Sequence, residues 1–272
     1  MLKKILREPI CLFNEIYKNY NMVVDLSKHE LKREYSGTIL GMFWAVAKPI
    51  MTLIVYWFVF SIGLRSGSPI KGVPFFLWLM AGMSPWFFIS DTLVKAANSI
   101  RSKSYLVKKM VFPVSILPTI KVISLLYGHL LFVVIMIIVF ALYGYFPDLY
   151  YLELIYYIFS EVMLMIAISW ATSSLVVFSK DIYEFLRTTI VLFFWLTPIV
   201  WSIDNLPPFY KKIFLLNPFY YNINGFRNAL INKIWFWEQW KYGLYYWSLI
   251  AILLTIGAII HNKLRTHFAD IL

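Results

Sequence analysis

From about residue 39 the chain alternates long apolar blocks with short polar joints. The blocks fall at about 39–63, 73–94, 119–143, 153–178, 183–202 and 243–262. Each is long enough for a helix to cross a hydrocarbon core of about 30 Å. Only helices and closed barrels satisfy their backbone groups in lipid, and the blocks lack the two-residue alternation of barrel strands. The pattern predicts an all-α polytopic membrane protein with six transmembrane helices.

Three stretches do not span. Residues 9–24, PICLFNEIYKNYNMVV, place Ile10, Phe13, Ile16, Tyr17, Tyr20 and Val24 on one face, with Asn14, Glu15, Lys18 and Asn21 opposite. Pro9 suits a first helical turn. This predicts an amphipathic helix within a polar segment 1–38, lying in the membrane interface or against a protein surface. Residues 205–234 are apolar, but Pro207, Pro208 and Pro218 cut them into helices of about 8 and 15 residues. Both are too short to cross, and together they suit a re-entrant hairpin. The third stretch, 95–118, ends in VKKMVFPVSILP, where two lysines meet a proline-punctuated apolar run. Residues 39–272 read as one domain without internal repeats.

Charge orients the framework. With an inside N-terminus, the inside segments hold sixteen Lys and Arg and the outside ones seven. That bias predicts both termini, and residues 95–118, in the cytoplasm. The net charge of +11 flanks the apolar blocks instead of forming a separate stripe, which argues against a nucleic-acid partner. Hydrophobic residues make up 61% and charged ones 14%, well outside the range of soluble domains. The first 38 residues lack the short apolar core of a signal peptide, and the single cysteine, Cys11, allows no internal disulfide.

No catalytic or metal site is expected. His29, His129, His261 and His267 have no metal-ligand spacing, and HExxH, GxSxG and Walker A motifs are missing from the sequence. An ATP-driven role would need the ATPase on another polypeptide. Glu161 and Lys48 lie inside predicted spans, where a charge costs about 2.5–3.5 kcal/mol. Lys121 and Arg187 lie near span ends and read as snorkelling residues. For Glu161 a polar cavity and a buried hydrogen bond are equally open, and a proton relay is a third use. Aromatic residues reach 19%. Much of this belongs to interfacial belts, yet the predicted outer side is dense enough to suggest a path for a repetitive polymer. Tyr35, Trp44, Trp57, Trp78, Trp86, Glu161, Trp195, Tyr220, Tyr221 and Arg227 are the candidates for that path, and Arg65, Lys71, Lys211 and Lys212 could meet phosphates near its exit.

The stretch LKREYSGTILGMFWAVAKPIM carries Tyr35, Leu40, Gly41, Trp44 and Pro49. It resembles the opening of the permeases of type 2 ABC exporters for cell-surface polymers. GLRSGSPIKGVPFFLWLMAGMSPWFF (63–88), KKMVFPVSILP, LNPFYYNINGFR and the terminal FADIL look closer still to teichoic-acid translocation permeases of Gram-positive bacteria. Lys48 departs from that pattern, which more often has a neutral polar residue there. The resemblance implies a homodimeric pathway in the plasma membrane for a lipid-linked anionic polymer, with wall teichoic acid first and O-antigen or capsular polysaccharide as the alternative. It also implies two cytoplasmic ATPase subunits that bind ATP and Mg, this chain holding no cofactor. The amphipathic helix and the 95–118 loop would dock on them, through Lys108, Lys109, Met110, Phe112 and Pro113, with Asp181 in the next inner turn. Read from the residues alone, 108–112 could equally anchor the loop at anionic lipid.

Overall fold

The structure, a computed structural model, describes residues 2–63, 72–109, 112–204 and 206–272, without the side chains of residues 2–6 and Lys109. Among these residues every regular element is helical. α1 (Leu2–Lys18) and α2 (Tyr20–Tyr35) are followed by α3 (Trp44–Trp57), which continues through a π turn to Gly63, and by α4 (Phe75–Ala97). The short α5 (Ser104–Lys109) precedes α6 (Ile116–Leu142), α7 (Glu153–Phe178) and α8 (Lys180–Leu196). Two short helices, α9 (Pro208–Leu215) and α10 (Pro218–Arg227), lead to α11 (Trp240–Leu264) and α12 (Phe268–Ile271).

Five described segments are long and apolar enough to cross a membrane: Gly41–Gly63, Phe75–Ala97, Ile116–Leu142, Leu149–Phe178 and Trp240–Ile271. The sixth expected span, 183–202, is instead the 17-residue α8, which stops at Leu196. The cause is Pro198, which disfavours helical geometry in the residue before it. Thr197 is extended there (φ −99°, ψ 132°), and Thr197 to Val200 run as buried non-helical chain. At about 1.5 Å per residue α8 measures roughly 25 Å, slightly short of a full crossing.

Proline also shapes the other expected breaks, with one correction. Pro208 and Pro218 open α9 and α10 at first-turn positions, where a missing N–H costs nothing. Pro118 is tolerated in the first turn of α6 for the same reason. Pro9, expected to start a helix, lies inside α1, and the N-terminal helices extend from Leu2 to Tyr35 with a single break at Asn19.

The bundle is built around α4. In its most apolar window 78% of residues are buried, against 17% for the first span, α3 with its flanking turns. α4 packs on α6, α7 and α10, and α7 packs on α11. At Gly257 a Cβ would lie 2.7 Å from the Ala167 carbonyl oxygen, so only glycine lets α11 approach the α7 backbone this closely. One turn further on, His261 Nδ1 and Ser174 Oγ share a 2.8 Å hydrogen bond. A separate apolar cluster, containing Val23, Ile100, Ile116, Ile120, Val177 and Phe268, gathers the N-terminal helices, the 98–120 segment, the end of α7 and the last residues at one end.

Candidate coupling interface and membrane path

α2 is fastened to that end by charge. Val23, Ser27 and Leu31 recur every fourth residue and bury one face, and Ser27 Oγ donates to the Ile120 carbonyl across 3.2 Å. Beside this stripe Glu30 and Glu34, again four apart, face three lysines from three other elements. Glu30 pairs with Lys103 at 2.7 Å and Lys121 at 3.4 Å. Glu34 pairs with Lys121 at 2.9 Å and Lys95 at 2.6 Å, and Lys95 also holds Asp91 at 2.6 Å. Lys121 is therefore a paired residue and not the snorkelling one expected. α1 is tied similarly: Glu15 accepts from Ser115 Oγ and from Arg265 Nη1 at 3.0 Å, and Glu8 accepts from Asn262 Nδ2 at 2.5 Å. Glu15, assigned to a polar outer face by its spacing, joins three elements.

Burial by itself raises the pKa of Glu30 and Glu34, but the hydrogen bonds and charges of their lysines outweigh it and hold both carboxyls below the ordinary value. A depressed folded-state pKa gives stability that is complete above the unfolded value, near 4.3, and is lost as pH falls through the folded one. The latch should thus contribute fully at pH 7. A thermal unfolding series in detergent should show the stability difference between wild type and Glu30→Gln narrowing below about pH 4. An unchanged difference at pH 3.5 would rule the ionised latch out.

Beyond the latch, α5 presents Lys108 to solvent. Phe112 and Val114 pack half-buried on the cluster around Val23 and Phe268. Met110, the Lys109 side chain, Arg65 and Lys71 lie outside the described residues. Asp181 is exposed, its backbone N–H capped by Ser179 Oγ at 3.1 Å.

Toward the other end, the Arg227 side chain from α10 is buried. Its guanidinium donates to the Pro198 carbonyl at 2.8 Å and to the Ile199 carbonyl, and lies 3.6 Å from the centre of the Trp78 ring. Gly82 makes room for it, since a Cβ there would strike the guanidinium. Two carbonyls of the buried non-helical chain that follows α8 are therefore satisfied by an arginine from α10. Arg227, a path candidate by sequence, is thus buried within one copy of the chain.

Residues 24–231 match the profile of the ABC-2 type transporter family. The chain belongs to that family. It is 29% and 30% identical to two O-antigen export system permease proteins RfbA of Klebsiella pneumoniae, over 93% of this chain and 95% of each relative. It is 25% identical to the RfbA of Myxococcus xanthus, over 72% of this chain and 74% of that one. The protein is thus a multi-pass ABC-2 permease, and the matched region runs from α2 through α10, including both the latch and the Arg227 lock.

Within this permease the path candidates separate. Trp78, Trp86, Tyr220 and Tyr221, candidates for the path by sequence, are buried within one copy of the chain. Trp86 packs on Phe194 and Phe219. Tyr221 stacks on Tyr246 at 4.1 Å and shares a hydrogen bond with Tyr156. Trp57 sits edge-on to Phe76. Trp195 is 52% exposed, and Tyr35 and Trp44 line a groove of about 220 Å³ with Lys48, Thr52 and Lys95. Glu161 is completely buried, so it lines no open path. It lies 3.5 Å from His129 Nε2 of α6 without a hydrogen bond between them, and His129 stacks on Phe88. The two are 32 positions apart on different helices, so spacing could not reveal the pair.

Proposed function

We propose that this permease forms the membrane half of an ATP-driven exporter that moves a lipid-linked O-antigen-type polysaccharide outward across the plasma membrane. ATP is hydrolysed with Mg on two copies of a separate cytoplasmic ABC ATPase. The observation that carries this reading is the match to O-antigen export permeases over nearly the whole chain. Teichoic acid, the cargo suggested by residues 63–88, is the weaker reading, because the relatives' names favour the sugar polymer.

The inner face is the end bearing both termini, the latch and Lys108. There the ATPase docks on α1, α5 with Phe112 and Pro113, and the turn at Asp181. On the outer side, α9 and α10 form the re-entrant hairpin. A second copy of the chain completes the path. α3 and α8 touch each other through Tyr56 and Phe194, 5.1 Å apart. Each leaves a large apolar surface uncovered, including Ile54, Val55 and Phe58 on one and Val191, Leu192 and Trp195 on the other. Cargo passes along this joint surface, with Tyr35 and Trp44 at its inner end and Trp195 farther along.

Co-expression tests the proposal. The purified chain should hydrolyse no ATP, whereas the chain expressed with an ABC ATPase from the same operon should co-purify as an ATP-hydrolysing complex. Cells depleted of the permease should accumulate a lipid-linked polymer inside. A sugar repeat without polyol phosphate supports the O-antigen reading, and a polyol-phosphate repeat would replace it with teichoic acid. Failure to associate with any ABC ATPase would overturn the exporter reading.

A further inference from the structure

A cavity of about 60 Å³ lies among α2, α3, α4 and α6. Tyr35, Pro49 and Asp91 line both it and the groove at Lys48, so the two adjoin at the latch end of the bundle. Deeper in, the lining passes to His129. That residue follows Ile116, the first of α6, by 13 positions, roughly 20 Å of helix rise. The cavity thus leads from the latch to the middle of the 27-residue α6. A water needs about 10–15 Å³ of such volume, so several fit.

Behind His129 stands Glu161, with Oε2 lying 3.5 Å from Nε2. Nε2 and both carboxyl oxygens have no hydrogen-bond partner among the described residues. Buried polar atoms are almost always satisfied, so three orphans in one contact need an explanation. The surrounding helices offer Glu161 no cation. Lys95 of α4 is held by Glu34 and Asp91, and Arg227 of α10 by two carbonyls. Lys48 of α3 is exposed in the groove, and Arg187 of α8 is exposed beside Glu184. Tyr246 of α11 is bonded to the Ser160 carbonyl and Asn222. A lone carboxylate sealed in an apolar core is too costly to persist and is neutralised by a proton. A proton between Oε2 and Nε2 also turns a meeting of lone pairs into an attraction.

We propose that His129 and Glu161 form a proton-binding site in the permease core, loaded and emptied through this cavity from the latch side alone. Glu161 holds the proton as a neutral acid. His129 passes it, one ring nitrogen taking a proton from cavity water as the other gives one to Oε2, and the reverse on release. On the opposite side the route is closed. Ser160 Oγ donates to Asn222 Oδ1 at 2.7 Å, Asn222 Nδ2 to Tyr246 Oη at 2.9 Å, and Tyr246 Oη to the Ser160 carbonyl at 3.0 Å. All three residues are fully buried. The site therefore senses protons without conducting them. Parting α6 from α7 would hydrate Glu161 and favour release, so proton occupancy at the latch side biases that movement. The site depends on the bundle alone, whatever the cargo.

Infrared difference spectroscopy of the full chain in detergent tests this. Subtracting the Glu161→Gln spectrum should isolate a protonated-carboxyl band, which shifts to lower frequency on transfer to D2O. Gly128 lines the cavity, and a Cβ there meets nothing nearer than Ala45 Cβ at 3.9 Å. Gly128→Val should therefore plug the cavity without strain. It should slow the D2O shift by about tenfold or more, because exchange then waits for local opening of the bundle. His129→Phe keeps a ring against Phe88 but removes the acceptor. It should move the band to higher frequency and slow its exchange as well. If Glu161→Gln does not fold, the difference between wild type and His129→Phe carries the same band. Absence of a protonated-carboxyl band in these differences, a band that never shifts in D2O, or exchange that neither Gly128→Val nor His129→Phe slows overturns the site. A proton leak across proteoliposomes holding the chain, abolished by Glu161→Gln, would overturn one-sided access.

Discussion

Replacing Arg227 with alanine should lower the unfolding midpoint of the permease on the order of 10 °C, or prevent recovery of folded protein altogether. The substitution strands the Pro198 and Ile199 carbonyls in the interior. It also removes the cation stacked on Trp78. A hydrogen bond from a charged donor is worth about 1.5–3 kcal/mol, and a desolvated cation–π contact about 2. The terms overlap, so a loss of about 3–5 kcal/mol is expected, at roughly 2–4 °C per kcal/mol for a chain somewhat smaller than this one. Arg227→Lys should recover part of the loss: an ammonium can reach one carbonyl and the ring, but lacks the planar fork that serves both carbonyls. The measurement is thermal unfolding of the detergent-solubilised chain, followed by size exclusion. A stable, monodisperse Arg227→Ala protein would mean that the Pro198 and Ile199 carbonyls are satisfied by something other than α10.

The lock also marks the boundary of what could be read from sequence. Hydropathy located the five described spans because each helix must satisfy its own backbone in lipid, whatever its neighbours do. The prolines placed α9 and α10 because their constraint is local. By contrast, whether Arg227 faces outward or inward depends on Pro198, 29 positions earlier, and on Trp78 in a third helix. The aromatic residues failed in the same way: Trp78 and Trp195 are both apolar-block tryptophans, yet one is a core residue and the other half exposed. At the N-terminus, the four-residue recurrence of Val23, Ser27 and Leu31, with Glu30 and Glu34 beside it, carried the signal for α2. It was hidden because the segment is polar overall, and its charges find their partners only after the chain has crossed the bilayer and returned.

The double substitution Glu30→Gln/Glu34→Gln should therefore have its largest effect on coupling, with the membrane bundle still folded. Both changes keep side-chain volume, and Lys95 retains Asp91, but Lys103 and Lys121 lose every carboxylate partner the structure gives them. Their side chains are 10% and 12% exposed, so residual solvent reduces the about 3–5 kcal/mol typical of an abandoned buried charge. About 2–3 kcal/mol remains, enough to shift the docked fraction of α2 by roughly 30- to 150-fold. Val23, Ser27 and Leu31 still favour docking, so α2 should loosen without the spans unfolding. Limited proteolysis should cut near Asn19 and Ser36 much faster than in the wild type. Reconstituted with the ATPase, the variant should hydrolyse ATP while exporting polymer at least tenfold more slowly, because motion received at the inner face no longer reaches α4 and α6 through α2. Unchanged protease protection together with unimpaired export would show that the lysines tolerate solitude and that α2 transmits nothing.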